Sequence, residues 1–294
     1  MSEETQTRPD GYPKDKKDGT YMFKVKDWEA EWNRLDQLHI GIRKYMNGKL
    51  TFAPLDNPQK ILEVGSGSGA WAIQAAQMYP DAEIVAADMT SLPPRPLPKN
   101  LRFQKLNILD PFPFQPEEFD AVHFRLVLFH LPNARDVVRR AAQLLKPGGW
   151  LLVEDLSLPI YENPGPAQER SLRVRYDWSV SKGLDPYISV HMAQMLEESY
   201  SFDQVETHKP LLYSNPLPDG SDPTFPLAEA VRVMSMKAMG DLDVSPDLRA
   251  AGYTRELQDA WKKEMNSPVH KTIAPFTFTW ARKSVSAPLS IAKM

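Results

Sequence analysis

The sequence predicts an α/β protein built on a mostly parallel sheet, and three observations carry that prediction. Short apolar runs alternate with helical periods or stiff connections from residue 60 to residue 155. One such run, Ile61-Leu62-Glu63-Val64, feeds directly into Gly65, Gly67 and Gly69 and then into a small-residue helical stretch. Several of the runs also stop on a polar side chain, namely Asp88, Asn107, Arg125 and Asp155. Parallel strands need crossovers, so alternation of this kind implies a parallel sheet. A strand that enters a glycine turn and opens a helix makes a cradle for a nucleotide-like ligand, because the glycines permit close backbone approach and the helix start offers unpaired N–H groups. The ligand of such a sheet lies beyond the carboxyl ends of its strands.

Taken in order, residues 1–19 are rich in Lys, Asp, Gly and Pro and are expected to form a disordered tail. From Asp27, apolar residues at Trp28, Trp32, Leu35, Leu38, Ile42 and Tyr45 recur at helical steps, and Gly48 ends the run. Glu31 and Arg34 on this helix read as a surface ion pair at i,i+3, worth about 0.3 kcal/mol. Residues 70–78 predict a helix stopped by Pro80, and residues 83–87 a second strand. The next crossover holds Pro93, Pro94, Pro96 and Pro98, which no helix survives, so it is an irregular loop. Strands follow at 101–106 and 119–124. A helix at 134–145 is closed by the turn Lys146-Pro-Gly-Gly, and a strand follows at 150–153. Beyond it the pattern predicts helices at 169–182, 189–199, 226–239 and 255–265. It also predicts a strand at 202–208, a last strand at 275–282 and a loose tail at 284–294.

The bulk properties exclude several functions. Apolar residues are 42% and charged residues 25% of 294, which suits a soluble domain with a core. A net charge of −3 gives no electrostatic basis for nucleic acid or an acidic membrane as partner. Without cysteine there is no disulfide framework, thiolate zinc site or cysteine nucleophile, and no cluster of acidic or histidine residues has metal-ligand spacing. The polar N-terminus lacks a signal-peptide core, and no run spans a bilayer, so the expected location is the cytoplasm or the nucleus.

The glycine run leaves two ligands open. Gly65-Ser-Gly67-Ser-Gly-Ala70 satisfies the dinucleotide fingerprint, and Asp88, 21 residues after Gly67, could accept a ribose hydroxyl, as in a nicotinamide oxidoreductase. Glu63 argues against a pyrophosphate there, since like charges repel. A cofactor with a cationic end, such as S-adenosylmethionine, would be favoured.

Glu63-Val-Gly-Ser-Gly-Ser-Gly, Asp88, Asn107 and Leu145-Lys-Pro-Gly-Gly-Trp-Leu-Leu-Val-Glu together resemble class I S-adenosylmethionine methyltransferases. Glu31-x-x-Arg34-Leu35-Asp-x-x-His39, Gly48-Lys-Leu, Ala53-Pro-Leu, Pro98-Lys-Asn-Leu-Arg-Phe and Phe119-Asp-x-Val-His-x-Arg125 resemble the fungal LaeA-like methyltransferases of secondary metabolism. The resemblance implies a Rossmann-like sheet of seven mostly parallel strands with helices on both faces. It also implies one domain over 20–283, with a helical cover at 20–50. The stretch 160–270 lies outside the resemblance, as a substrate lid would, and is expected to contain helical lid elements. The implied cofactor is S-adenosylmethionine, with Glu63, Gly65, Ser66, Gly67 and Gly69 around its methionine end. Asp88 would hold the ribose, and Met89, Asn107 and Ile108 the adenine. Tyr21, Arg34 and His39 would close over it. For Arg125, contact with the cofactor carboxylate or with an acidic substrate competes with a salt bridge to Glu154 or Asp155.

The expected reaction is methylation of a small, largely apolar molecule, at oxygen rather than nitrogen, and the rival roles are a regulator acting through protein partners and the oxidoreductase. Neither protein partners nor a homodimer is indicated. His130 follows the fourth strand in Leu128-Phe-His-Leu-Pro and is the candidate base, with His191 a second; the alternative for His130 is to cap the following helix. His123, alternating within the strand, is expected to be packed. Tyr176, Trp178, Tyr187 and Met234, with Met236 and Met239, form either simple core or an adaptable apolar wall for the acceptor.

Overall fold

The structure is a computed structural model in which residues 25, 27–199, 201–214, 221–241 and 243–285 are described. The expected terminal tails at 1–19 and from 286 onward, together with Tyr21, lie outside the described residues.

The chain opens with α1 (Trp28–Tyr45), whose Asp27 side chain caps it by accepting from the Ala30 N–H. Then come β1 (Lys60–Val64), α2 (Ala70–Met78), β2 (Glu83–Asp88), β3 (Leu101–Lys105), β4 (Phe119–Arg125) and α3 (Ala134–Leu144). β5 (Leu145–Leu156) and β6 (Ile160–Glu162) follow, and after them α4 (Pro166–Ser181), α5 (Ile188–Glu198), β7 (Phe202–His208) and β8 (Leu212–Tyr213). The last elements are α6 (Phe225–Ser235), α7 (Pro246–Ala250), α8 (Arg255–Met265), β9 (Lys271–Ala274) and β10 (Phe276–Lys283). As the prolines dictate, the connection from β2 to β3 contains no helix.

Seven strands form the main sheet in the order β3-β2-β1-β4-β5-β10-β7. β10 alone runs against its neighbours. The order reverses between β1 and β4, which opens a crevice at their carboxyl ends. Period-two alternation sends Leu62, Val64, Val122, Phe124, Leu151 and Val153 to one face, under Val137, Val138 and Leu144 of α3 and Ile188, Met192 and Leu196 of α5. Ile61, Ile84, Ala86, Ala121 and Leu152 face the other way and are covered by Trp71, Ala72, Ala75 and Ala76 of α2.

One expectation is corrected here and one feature is added. The turn Lys146-Pro-Gly-Gly is an irregularity inside β5 rather than a gap before it, because register jumps from Phe119↔Leu145 to Ala121↔Trp150. Besides its expected helices and the strand at 202–208, the 160–270 region supplies β6 and β8, which pair with β9 in a second sheet ordered β6-β9-β8. Strands of two to four residues are too short to show a period, so the sequence pattern misses them. Among the described residues no helix is long and apolar enough to cross a membrane.

Candidate active site

A cavity of about 1270 Å³ lies beyond the carboxyl ends of β1, β2, β4 and β5, roofed by α1 on one side and by elements of the 160–270 region on the other. Its floor begins at the glycine loop. Gly65 sits at φ +74 and a Cβ there would lie 2.4 Å from Val127 Cγ2, so both the turn and the packing demand glycine. The loop is tied to the next strand by the Gly65 and Ser66 N–H groups, which donate to the Ala87 carbonyl at 2.8 and 3.1 Å. Asp88 completes the tie: Oδ2 accepts from the Gly67 N–H at 2.8 Å and Oδ1 from the Thr90 N–H at 2.9 Å. Each Asp88 oxygen keeps a lone pair for a further donor. Burial pushes the Asp88 carboxyl above its ordinary pKa, against the pull of those N–H groups.

Alternation places four polar side chains in a row on the α2 face: Glu63 of β1, His123 and Arg125 of β4, and Glu154 of β5. His123 is fully buried, stacked on the Trp71 ring at 3.8 Å, with Nδ1 3.8 Å from Glu63 and Nε2 3.6 Å from Glu154. Burial lowers His123 to about 4, so the ring is neutral, as a packed residue should be. Arg125 Nε donates to Glu154 Oε2 at 2.6 Å, and its Nη1 donates to His39 Nδ1 at 2.9 Å. Its carboxylate partner is therefore Glu154 and not Asp155. Burial, with the neighbouring Arg125 charge, pushes His39 down to about 3. Glu63 is 3% exposed and accepts from the Ala72 N–H at the start of α2, yet burial raises it to about 8.

Behind β4 the chain turns through Leu126 at φ +55, an unfavourable conformation for a bulky residue that costs about 1–2 kcal/mol. Asp155 holds that turn by accepting from the Leu128 and Phe129 N–H groups at 2.8 and 3.3 Å. The short 3-10 helix Leu128–His130 so anchored presents His130 to the cavity. His130 does not cap α3, whose N-cap is Asn133 without a side-chain cap bond. Burial, then the nearby Arg34, lowers His130 to about 4.

The structure brings together Arg34, His39, Glu63, Gly65, Ser66, Gly67, Asp88, Met89, Asn107, Ile108, Arg125, His130 and Met234 on the one cavity. Gly69 lies just behind its wall, against Leu92. The Glu31–Arg34 pair expected on the surface is instead a two-bond pair at 2.6 and 2.7 Å, with side chains about one-tenth exposed, facing the cavity. Four assignments are corrected. His191 points outward from α5, 47% exposed and paired with Asp185. Tyr176 is 42% exposed and packs near Tyr187 at the surface, away from the cavity. Tyr187 begins α5, and Trp178 is core among Leu184, Leu248 and Tyr253. The cavity wall on that side is made instead by Phe129, Tyr161, Arg175, Met239, Trp261 and Met265. Arg175 lies on the buried stripe Gln168, Ser171, Arg175 and Trp178 of α4, which is mostly polar and so gives no apolar period to find it by; Tyr161 lies in β6, which leaves no pattern either.

The donor set fits S-adenosylmethionine: a tight glycine turn, a ribose-competent aspartate, a buried acid beside the loop, and Ser66 Oγ buried without a partner. The comparisons agree. A family model described as a methyltransferase domain matches residues 38–203. Methyltransferase str2 of Strobilurus tenacellus is 41% identical over 241 residues, covering 81% of this chain and 86% of that protein. Methyltransferase str3 of the same fungus is 44% identical over 223 residues, covering 74% and 80%. The secondary metabolism regulator LAE1 of Cochliobolus heterostrophus is 26% identical over 198 residues, covering 64% of each. This sets aside the nicotinamide oxidoreductase, whose fingerprint the same loop satisfies. The chain belongs to the methyltransferase-domain family and is an S-adenosylmethionine-dependent methyltransferase of the class I α/β fold.

Proposed function

We propose that the chain methylates a small, largely apolar molecule at oxygen, as a step of secondary metabolism. The observation that carries this reading is the single cavity that runs from the glycine loop past His130 to a wall of aromatic and methionine side chains. Gly65, Ser66 and Gly67 hold the methionine end of the cofactor, with Gly69 turning the loop behind them and Glu63 beside the amino group. Asp88 accepts from both ribose hydroxyls through its free lone pairs. Met89 and Ile108 flank the adenine, and Asn107 meets its edge; the Asn107 Oδ1 already accepts from the Leu109 N–H, leaving its amide donor for the ring. Arg34, His39 and Arg125 close the α1 side.

When bound, the cofactor supplies an electrophilic methyl carbon. The cavity walls exclude water and align the acceptor. His130 borders the cavity and, neutral across physiological pH, is the group placed to receive the acceptor's proton. Asp155 keeps His130 in place by holding the Leu128–Phe129 turn.

Incubation with labelled S-adenosylmethionine and paired panels of apolar phenols and amines tests the reading. Label is expected on oxygen, and His130→Ala should lower kcat by about 10²-fold or more with cofactor affinity unchanged. Full turnover in that variant would remove the histidine from the chemistry, and label only on amines would reverse the oxygen assignment. The likeness to LAE1 supports a second reading, a regulator working through protein partners. It expects binding of S-adenosylhomocysteine with no label transferred to either panel.

A further inference from the structure

The distal wall of the cavity holds an arginine that is left incompletely paired among the described residues. Arg175 lies on the buried stripe of α4, is 6% exposed and borders the same cavity as the glycine loop. Among the described residues its Nε and Nη2 atoms meet no acceptor. Three described arginines border the cavity, and the other two are paired: Arg34 with Glu31 and Arg125 with Glu154, each at 2.6 Å. In Arg34 the Nε and Nη2 atoms take the two oxygens of Glu31; in Arg175 the same two atoms are left over.

Buried carboxylates that line the cavity are otherwise engaged. Glu63 accepts from Ala72, Asp88 from Gly67 and Thr90, and Asp155 from Leu128, Phe129 and Leu156. Glu264, at the end of α8, accepts from the Ala167 and Gln168 N–H groups that open α4. A guanidinium keeps its charge in any protein environment, and a buried charge without a counter-ion is destabilising. Such a group is retained where a ligand completes it. Around it stand Tyr161, Met239, Trp261 and Met265, so its surroundings are apolar and aromatic. Trp261 Nε1 donates to the Tyr161 hydroxyl at 3.1 Å, which leaves the Tyr161 O–H free to donate in turn.

We propose that Arg175 binds a carboxylate on the methyl acceptor, so that the acceptor is an apolar carboxylic acid anchored at α4. The planar carboxylate matches the guanidinium fork, with Tyr161 as an additional donor. A phosphate would bring a second negative charge to a wall with one cation, so it fits less well. The acid is the anchor, and the methyl-accepting oxygen is the one held at His130. This rests on reading the cavity as the acceptor site.

The test is calorimetry on the full chain saturated with S-adenosylhomocysteine, titrated with phenylvalerate and separately with phenylvaleramide. The acid is expected to bind about tenfold or more tightly than the isosteric amide, since only it offers a charge-assisted pair. Arg175→Met should erase that preference, leave S-adenosylhomocysteine affinity unchanged and keep or raise Tm, because an unpaired buried charge is removed. An acid that binds no more tightly than its amide overturns the proposal in the unmodified protein, whatever the variant does. A preserved preference in Arg175→Met, or a Tm lowered by the substitution, overturns it as well. Failure of S-adenosylhomocysteine itself to bind would instead strike the methyltransferase reading, so the two failures are distinguishable.

Discussion

At the glycine-loop end of the cavity, charged and titratable side chains from three adjacent strands and α1 interlock; at the α4 end a single arginine stands among aromatic rings. Glu63, His123, Arg125, Glu154 and His39 there form a chain of contacts, and Arg34 meets Glu31 by two bonds. Around Arg175, Nε and Nη2 meet no acceptor among the described residues. The difference teaches that the arginines of the near end are paired by the protein itself, whereas the arginine of the far end is not. On the proposals above, a shared cofactor meets a preorganised seat and a particular acceptor is selected by the group the protein withholds.

Breaking the near end should have the largest effect. Asp88→Ala removes the ribose acceptor and two ties of the glycine loop, so S-adenosylhomocysteine affinity by calorimetry is expected to fall about a hundredfold or more. Unaltered affinity would detach the ribose from Asp88. Next comes Gly65→Ala, which forces a Cβ onto Val127 at positive φ; thermal melts should show a loss of about 3 kcal/mol. A Val127→Ala background should restore part of that loss, and no restoration would mean the conformation rather than the contact dominates.

A third experiment sharpens the contrast through protons. Burial raises Glu63 to about 8, so the folded cofactor-free chain retains a proton that the unfolded chain has already lost at neutral pH. The stability tied to this group is complete below the unfolded carboxyl range and is lost as pH rises through about 8. Docking a cationic amino group beside Glu63 favours its ionised form. Binding of S-adenosylhomocysteine at neutral pH is thus expected to release up to about one proton, read from calorimetry in buffers of different ionisation enthalpy. Glu63→Gln should abolish that release; a release that persists would place its source elsewhere. The smallest effects belong outside the cavity. His191→Ala and Tyr176→Ala should change turnover negligibly and stability by less than about 0.5 kcal/mol, since both side chains face solvent. A marked loss of turnover in either would mean that the acceptor reaches beyond the wall described.

The legibility of the sequence divides along the same line. Residues that a strand end or a turn must place, such as Gly65, Asp88, Asn107 and Arg125, can be located from order alone, because the parallel sheet sends every carboxyl end to one edge. The α2 and α8 boundaries, Ala70–Met78 and Arg255–Met265, likewise follow from periodicity and stop signals. The far wall is different. Its residues come from a three-residue strand, two helices and the π-helical turn after α6, and which side of each helix faces inward depends on packing that no local pattern encodes. Aromatic content therefore misleads at Tyr176, which faces solvent. Arg175 is overlooked because charges on amphipathic helices usually face water.

The reversed strand β10 carries a consequence for the order in which the molecule can be made. It fills the slot between β5 and β7, pairing Thr279 with Val153 on one side and with Thr207 on the other. During synthesis β7 emerges some seventy residues ahead of the strand that joins it to the sheet. Until β10 arrives, both β5 and β7 present open edges with unpaired N–H and C=O groups, ready to pair with another chain. The sheet is thus completed from its middle by nearly the last residues described. A growing chain needs either a holding partner or a fast finish.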